Sequence, residues 1–435
     1  MSAPRVLLLL PTNTYKAHDF LEAAARLGVE TVVGSERPQA LEGLAPGRTV
    51  TLTLSDAGAA AREIALFARR HPLAAVVPTD DQTALVAARA SALLGLPHNP
   101  PGAALAARRK DVLRERLRAA GVRTPRHRLV PADPPPDDAA LSGLARQQEY
   151  PCVLKPIFLS ASRGVIRADT PAEFAAAFRR IEALFRLPDV AERAGIGRDD
   201  AAEPGGIRPD DAADPRAAIL VEEFAPGVEV ALEGLLAGGR LKVLAIFDKP
   251  DPLDGPFFEE TIYVTPSRLK DADQRAITAA VERGAAALGL VEGPVHAELR
   301  LDGHGPWLIE MAARSIGGLC GRVLRFGAGI TLEELILMHA LRRGVEAYER
   351  ERQPAGVMMM PVPRAGILRE VRGVSAARGV PGIVDITISA TIGKPLVPWP
   401  EGSSYPGFIF ARAETPAAVE AALREAHRRI DLVVD

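Results

Sequence analysis

Two glutamates on a predicted β-hairpin have the spacing to hold a divalent cation. Residues 295–301 and residues 307–312 show the two-residue period of strands, with turn residues between them. If His304 is the centre of the turn, Glu298 lies directly opposite Glu310, where two like charges are destabilising. Mg²⁺ between them would remove the repulsion, because it is coordinated by one or two carboxylates together with phosphate oxygens. An amphipathic hairpin with solvated carboxylates is the alternative.

The residues that follow this hairpin could bind an anion. A strict two-residue period puts Ile309 and Met311 on one face of the second strand and Glu310 on the other. Arg314 comes four residues after Glu310, and its planar guanidinium matches carboxylate or phosphate oxygens. The glycine pair at 317–318 lets backbone N–H groups approach a ligand closely. Beside a metal pair, these groups describe a site for phosphate or carboxylate.

Basic side chains occur at further positions where an anion could bind. Residues 107–121 have the period of an amphipathic helix, with Lys110 and Arg114 on one face. A solvated basic face is the more common meaning of such a pair. Lys155 ends an apolar strand, where a lone lysine is unfavourable unless it meets an anion. The loop 160–164 has hydroxyl, N–H and guanidinium groups that suit phosphate oxygens, although a polar hairpin turn explains it equally well.

Composition sets the class of protein. The 435 residues predict two to four domains, and 47% hydrophobic with 25% charged residues is typical of a globular protein. A net charge of −2 gives no electrostatic argument for nucleic acid or an anionic membrane as a partner. Two cysteines, Cys152 and Cys320, indicate a reducing compartment without a disulfide framework. The early apolar run 6–11 is too short for a signal peptide or a membrane span, so we expect a cytoplasmic protein.

The first part of the chain has the pattern of a doubly wound sheet. Short apolar runs near residues 5–11, 31–34, 49–54 and 73–80 alternate with predicted helices, the arrangement of parallel strands with crossover helices. No GxGxxG follows the first run, which argues against a dinucleotide site. Further along, residues 198–216 are acidic and rich in Pro, Gly and Ala, which predicts a disordered surface insertion that the chemistry does not need.

The chemically suggestive positions form an ordered series. They are Lys110, Lys155, the stretch LVEEFAPGVE (220–229), Glu298, Glu310 and Arg314. This series resembles the ATP-grasp family, and the hairpin sequence most resembles its carboxylate–amine ligases, which include the L-amino acid ligases. The resemblance implies a mixed α/β and α+β architecture, namely an ATP-grasp fold with a Rossmann-like preceding domain at 1–121. It further implies a central subdomain at 122–221 and a C-terminal subdomain at 222–435, with a small α+β region from about residue 356.

The resemblance also implies roles for particular residues. Those expected to bind ATP are Lys110, Lys155, Ser162, Glu222, Glu223, Phe224, Ala225, Glu229 and Lys249. Within that set, residues 222–225 would form the adenine hinge and Glu229 would accept from the ribose hydroxyls, while Glu298 and Glu310 would hold Mg²⁺. Two positions depart from the family pattern. Ala312 stands where an asparagine is common, and the phosphate loop has the one glycine Gly164.

The substrates would bind beyond the phosphates. Arg314 and Lys155 are the expected catalytic groups, with Arg314 binding the reacting carboxylate and then an acyl phosphate. Glu260 or His296 would orient an amino substrate, and the remaining expected substrate contacts are Gly317 and Gly318. A solvated strand edge is the alternative for Glu260, and a strand histidine that is simply hydrogen-bonded is the alternative for His296.

The expected activity is an ATP-dependent ligation of a carboxylate and an amine through an acyl phosphate, with release of ADP and phosphate. The cofactors are ATP and Mg²⁺, with Mn²⁺ as a substitute. The partners are small-molecule acids and amines, and a homodimer is compatible with this class. A purine-type or carboxylase-like ATP-grasp enzyme, and a nucleotide-binding regulatory protein, are the alternatives.

Overall fold

The computed structural model describes residues 3–12, 14–38, 47–190, 218–345 and 347–435. The predicted insertion at 198–216 lies outside the described residues. Within those ranges no helix is both long and apolar enough to cross a membrane.

The described residues form a mixture of strands and helices. The strands are β1 Arg5–Leu9, β2 Glu30–Ser35, β3 Thr49–Thr51, β4 Ala75–Pro78, β5 His127–Pro131, β6 Cys152–Pro156, β7 Ile166–Ala168, β8 Ala218–Glu223, β9 Val228–Ala237, β10 Arg240–Asp248, β11 Ile262–Thr265, β12 Glu292–Asp302, β13 Gly305–Ala312, β14 Arg325–Phe326, β15 Ile330–Thr331, β16 Ala355–Met359, β17 Gly366–Arg372, β18 Ile383–Ile388, β19 Pro395–Leu396, β20 Gly407–Arg412 and β21 Asp431–Val434. The helices are α1 Ala17–Arg26, α2 Ala57–Arg70, α3 Asp81–Leu94, α4 Pro101–Arg108, α5 Lys110–Ala119, α6 Asp138–Arg146, α7 Pro171–Phe185, α8 Asp271–Leu288, α9 Leu332–Ala340, α10 Val374–Arg378 and α11 Pro416–Arg428, with a 3₁₀ turn at Cys320–Val323.

The N-terminal sheet is parallel and has the order β3-β2-β1-β4. Strand β1 is apolar on both faces because both faces are covered. Leu7 and Leu9 pack in the core formed with α2 and α3, whereas Val6 and Leu8 pack in a core that includes α1 and α9. The predicted doubly wound pattern is thus observed, and its second face contacts an element from the C-terminal half.

The predicted helix at 107–121 is interrupted. Arg109 has φ −86° and ψ 107°, an extended conformation that separates α4 from α5. Leu113 and Leu117 on α5 pack in the core of the large sheet. The solvated-face interpretation of Lys110 and Arg114 is wrong, because both side chains are buried.

A second, antiparallel sheet has the order β5-β8-β6-β7. Helices α6 and α7 cover one of its faces and share a core with Phe174 and Phe178. The domain boundary predicted between residues 221 and 222 falls inside β8, so that strand belongs wholly to the middle sheet. The domain limits themselves remain a prediction.

The largest sheet has eight strands in the order β13-β12-β9-β10-β11-β16-β20-β18. Helix α8 packs on β9, β10 and β13, and its Val281 shares a buried core with Leu299 of β12. In the region from about residue 356, β16, β20 and β18 extend this sheet. A smaller sheet, β19-β17-β21, lies beside it.

Candidate active site

The hairpin β12–β13 brings Glu298 opposite Glu310, as the sequence predicts. The register is different on the two sides of this pair, because Leu299 pairs with Leu308 and leaves Ile309 as the extra residue of a β-bulge. The strict alternation expected for β13 is therefore wrong. Leu308 packs in the core with Met311, and Ile309 faces the same cleft as Glu310.

A cleft of about 770 Å³ is lined by residues of the middle sheet and of the largest sheet, together with residues 14–16 and 79–81 from the segments that follow β1 and β4. The predicted site residues that line it are Lys110, Lys155, Ser162, Glu222, Glu223, Phe224, Ala225, Glu229, Glu260, His296, Glu298, Glu310, Arg314, Gly317 and Gly318. Lys249 is buried beneath the cleft and contacts carboxylates that line it. The structure therefore brings the predicted residues together in one place.

A buried ion cluster lies at one wall of the cleft. The Glu222 carboxylate is 2.7 Å from the Arg114 guanidinium and 2.5 Å from the Lys155 ammonium. Burial disfavours the charged form of Glu222, but Arg114 and Lys155 outweigh burial and lower the pKa of this carboxyl. On the same helix as Arg114, the Lys110 ammonium donates to the Leu159 carbonyl at 2.7 Å and is 3.5 Å from Glu310. Helix α5 thus places Lys110 in the cleft lining and Arg114 behind it, against Glu222.

The loop after β6 has an unusual backbone. Ala161 and Ser162 have φ of 57° and 54°, in the left-handed region. Gly164 has φ +74°, and a Cβ there would lie 2.8 Å from Pro156, so glycine is required. The Arg163 guanidinium turns to the Glu401 carbonyl and to Asp189. The hydroxyl and backbone groups of residues 160–162 therefore face the cleft, and the Arg163 guanidinium does not.

Residues 399–405 are hydrogen-bonded to this loop, and no sequence pattern indicated these contacts. The Trp399 indole donates to the Ala161 carbonyl at 2.8 Å, and the Pro400 carbonyl accepts from the Gly164 N–H at 2.8 Å. Further along, the Tyr405 N–H donates to the hydroxyl of Tyr15 at 3.2 Å. We call residues 399–405 the strap, because they connect the middle sheet to the N-terminal domain.

Three carboxylates surround the buried ammonium of Lys249. One oxygen from each of Glu229, Glu260 and Glu298 lies within 4.8 Å of the others. The ammonium is 2.8 Å from Glu229 and 3.5 Å from Glu298, and it also donates to Glu260. Burial raises the pKa of Glu260 to about 7, while the Tyr263 hydroxyl donates to it at 2.7 Å. The solvated-edge interpretation of Glu260 is wrong.

His296 lies between two carboxylates. Its Nδ1 is 3.2 Å from Glu233 and its Nε2 is 3.4 Å from Glu298. Burial disfavours the charged imidazole, but the two carboxylates outweigh it and raise the pKa of His296. Burial likewise disfavours ionised Glu298, yet Lys249 and His296 lower the pKa of that carboxyl. Glu233, which the sequence reasoning missed, also accepts from the backbone N–H of Ile316 at 3.0 Å.

The Arg314 guanidinium is held by a residue of the N-terminal domain. It donates to both oxygens of Asp81, at 3.0 and 2.9 Å, and to the Ser315 carbonyl at 3.0 Å. Asp81 lies in the first turn of α3, directly after the Asp80 N-cap. The sequence indicates only a helix start at these two aspartates, so their closeness to the site could not be foreseen. Gly318, four residues after Arg314, has φ +57°, and a Cβ there would lie 2.9 Å from the ring of Phe408.

Known sequence families match three parts of the chain. Residues 21–98 match the ATP-grasp N-terminal domain, residues 209–323 match the ATP-grasp domain, and residues 358–435 match the L-amino acid ligase C-terminal domain 2. The first match includes most of the N-terminal sheet. The second includes the strands β9, β11, β12 and β13, which contribute residues to the cleft lining, and the third includes the strap.

Two curated proteins are similar over more than half of the chain. Carnosine synthase 1 of Mus musculus is 29% identical over 60% of this chain and 30% of its own length. Alanine–anticapsin ligase of Bacillus subtilis is 27% identical over 58% of this chain and 50% of its own length. The chain therefore spans half or less of these two relatives.

The crystal structure of an L-amino acid ligase from Bacillus licheniformis is similar over the whole of both chains. The TM-score is 0.78 and the sequence identity is 26%. Taken together with the cleft and the family matches, this shows that the chain belongs to the ATP-grasp superfamily and is of the carboxylate–amine ligase type. Ligases of this type form carbon–nitrogen bonds and release ADP.

Proposed function

We propose that the protein joins the carboxylate of one amino acid, or of a similar small acid, to the amine of another in an ATP-dependent reaction. The carboxylate attacks the γ-phosphate of ATP to give an acyl phosphate and ADP, and the amine then displaces phosphate. The observation that carries the proposal is the convergence of Lys110, Lys155 and Arg314 with Glu298 and Glu310 in one cleft. Phosphoryl transfer to a carboxylate brings negative charges together, and positioned cations offset their repulsion.

The nucleotide is proposed to bind along the middle sheet. Residues 222–225 continue from β8 into the cleft and would form the adenine hinge. The hydroxyl of Ser162 and the backbone of its loop would contact phosphate oxygens, since two adjacent left-handed residues turn the local backbone. Glu229 would accept from the ribose hydroxyls. The buried Lys249, which already contacts Glu229, would hold that carboxylate in place.

The donor set fits Mg²⁺ or Mn²⁺ at Glu298 and Glu310. Both carry carboxylate oxygens, the ligands that hard divalent cations prefer, and they lie opposite each other on adjacent strands that line the cleft. In the neighbouring cluster, the Lys249 ammonium is 2.8 Å from Glu229 and donates to Glu260, whereas it lies farther from Glu298, at 3.5 Å. When bound, the cation would neutralise charge on the phosphate oxygens. Ala312 supplies no ligand, so the protein ligands would be the two carboxylates.

The reacting groups are proposed to lie beside Arg314 and Glu260. Arg314 is fixed by Asp81 and keeps further N–H groups for a carboxylate or an acyl phosphate. Both ring nitrogens of His296 already face carboxylates, so we assign His296 to orienting Glu298. That leaves Glu260, which lines the cleft, as the group for a substrate ammonium. The backbone at Gly317 and Gly318 would close this end of the pocket.

We extend the proposal to the domain limits, the partners, the oligomeric state and the location of the protein. The three units would be residues 1–121, 122–221 and 222–435, and the partners would be small acids and amines. A homodimer and a cytoplasmic location are part of the same proposal. Light scattering of the purified protein tests whether it is a homodimer.

ADP release tests the activity itself. Purified protein with ATP and Mg²⁺ should release ADP only when a suitable acid and a suitable amine are both present, and the amide should form in equal amount. Bicarbonate-dependent release without an amide would favour the carboxylase-like alternative. ATP binding without release under any pairing would favour a regulatory protein.

A further inference from the structure

Lys16 also faces the cleft, and its environment differs from those of Lys110, Lys155 and Lys249. Lys16 precedes α1 in the N-terminal domain, is 8% exposed, and lines the cleft. Its ammonium donates to the carbonyl and to the hydroxyl of Ser315, both at 3.1 Å. A lysine has three N–H donors, so one remains for another partner.

This ammonium has no carboxylate partner in the described part of the chain. The Lys110, Lys155 and Lys249 ammonium groups lie 3.5 Å or less from a carboxylate oxygen of Glu310, Glu222 and Glu229, respectively. No described Asp or Glu oxygen lies within 4.0 Å of the Lys16 ammonium. A buried cation with no carboxylate in direct contact is unfavourable, so its position on a cleft wall favours an anion supplied from outside the chain.

Glu233, Glu333 and Asp80 act on the Lys16 ammonium from beyond contact distance and partly oppose the lowering of its pKa. Glu233 accepts from Ile316 and contacts His296, and Asp80 caps α3. Burial and the nearby Arg314 lower the pKa of Lys16 to about 8. A bound anion would oppose both effects and stabilise the ammonium form.

We propose that the Lys16 ammonium binds the carboxylate of the amine-bearing amino acid and thereby selects it over the corresponding carboxamide. The inference rests on the proposed ligase function. Ser315 joins Lys16 to Arg314, which places the ammonium at the substrate end of the cleft. Arg314 is assigned to the carboxylate that reacts, whereas the product of joining two amino acids keeps one carboxylate, that of the amine-bearing partner. Arg314 would therefore bind the carboxylate that reacts, and Lys16 would bind the carboxylate that remains in the product.

The test compares an amino acid with its carboxamide as the amine substrate, at a fixed acid and saturating ATP. Wild-type protein should use the amino acid at least about tenfold more efficiently, because a charge-assisted hydrogen bond is lost with the amide. Lys16→Met should lose at least about tenfold in kcat/KM for the amino acid, mainly through KM, with the carboxamide unaffected. Lys16→Arg should recover part of the loss, and the exposed Lys270→Met is the matched control.

Equal wild-type efficiency with the amino acid and the carboxamide would overturn the inference, and this comparison needs no folded variant. A Lys16→Met protein that changes KM for the acid substrate or for ATP would also overturn it, because the ammonium would then serve a different anion. If wild-type protein releases no ADP with any pair of acid and amine, the proposed function itself is contradicted.

Discussion

Glu298 and Glu310 lie opposite each other on adjacent strands, yet their carboxylates contact different cations. Glu298 is 3.5 Å from the Lys249 ammonium and 3.4 Å from His296, whereas Glu310 is 3.5 Å from Lys110. The β-bulge that follows Glu298 keeps Glu310 on the cleft side while Leu308 and Met311 remain in the core. The pair is therefore held from two directions, by the large sheet and by α5.

Replacing Glu310 tests the proposed metal site. Glu310→Gln keeps the side-chain shape and removes the charge, so acid- and amine-dependent ADP release should fall at least about 100-fold at ordinary Mg²⁺. The melting temperature should change little, because Glu310 is partly exposed. The exposed Glu414→Gln should behave as wild type. Retained turnover in Glu310→Gln would remove this residue from the metal site.

Replacing Arg314 tests the proposed carboxylate contact. Arg314→Lys loses the two-pronged pairing with Asp81 and the fork that matches a carboxylate, so turnover should fall about 100-fold with little change in ATP binding. Asp81→Asn should lower turnover in the same direction, because it frees the guanidinium to move. Steady-state kinetics and nucleotide titration separate the two quantities, with the exposed Arg283→Lys as the control. A variant that keeps turnover and loses only ATP affinity would assign Arg314 to the nucleotide.

Arg114 is expected to stabilise the fold through Glu222. The Arg114 side chain is fully buried, and Arg114→Met leaves Glu222 with Lys155 as its remaining charged partner. Breaking a buried ion pair from one side should lower the free energy of unfolding by about 3 kcal/mol. Urea denaturation measures this quantity, and Arg118→Met, on the exposed face of the same helix, should have little effect.

The same cluster gives a pH dependence with a definite sign. The pKa of Glu222 is lowered in the folded protein, so its contribution to stability is present above its usual value near 4.5 and is lost as the pH falls through the lower, folded value. Arg114→Met should therefore lose less stability than wild type over that acid range. Equal acid dependence in both proteins would show that Glu222 is not the group responsible.

The strap should protect a hydrolysable intermediate. Trp399→Phe keeps an aromatic ring but loses the hydrogen bond to the Ala161 carbonyl. We expect about two- to tenfold more ADP released per amide formed, because the loop over the phosphates closes less firmly and admits water. Trp307→Phe loses an equivalent hydrogen bond to Asp302, outside the cleft lining, and is the matched control. Equal ADP-to-amide ratios in the two variants would contradict a role for the strap.

Local sequence patterns predicted the strands and helices. The features that these patterns did not predict depend on contacts between residues that are far apart in the sequence. The period of residues 295–312 was enough to place Glu298 opposite Glu310, because cross-strand facing depends on local register. The same pattern could not reveal the bulge, since Ile309 is apolar and fits either face. Lys16 and Asp81 were missed because they come from the N-terminal domain, 299 and 233 residues away from Ser315 and Arg314 in sequence. Contacts at such separations depend on how the sheets are arranged.

The sequence also did not indicate which charged side chains are buried. Lys110 and Arg114 have the spacing of a solvated helix face, and only the packing of α5 against the middle sheet shows that both are buried. The strap lies in a Pro- and Gly-containing stretch without periodicity, so its hydrogen bonds to the loop at 160–164 had no local signal.

The most direct test of the account measures ADP and amide together. Wild-type protein is incubated with ATP, Mg²⁺ and pairs of amino acids, and both products are quantified in the same samples. We expect at least one pair for which ADP release requires both amino acids and equals the dipeptide formed. ADP release that needs no amine, or that rises with both substrates while no amide appears, would contradict it.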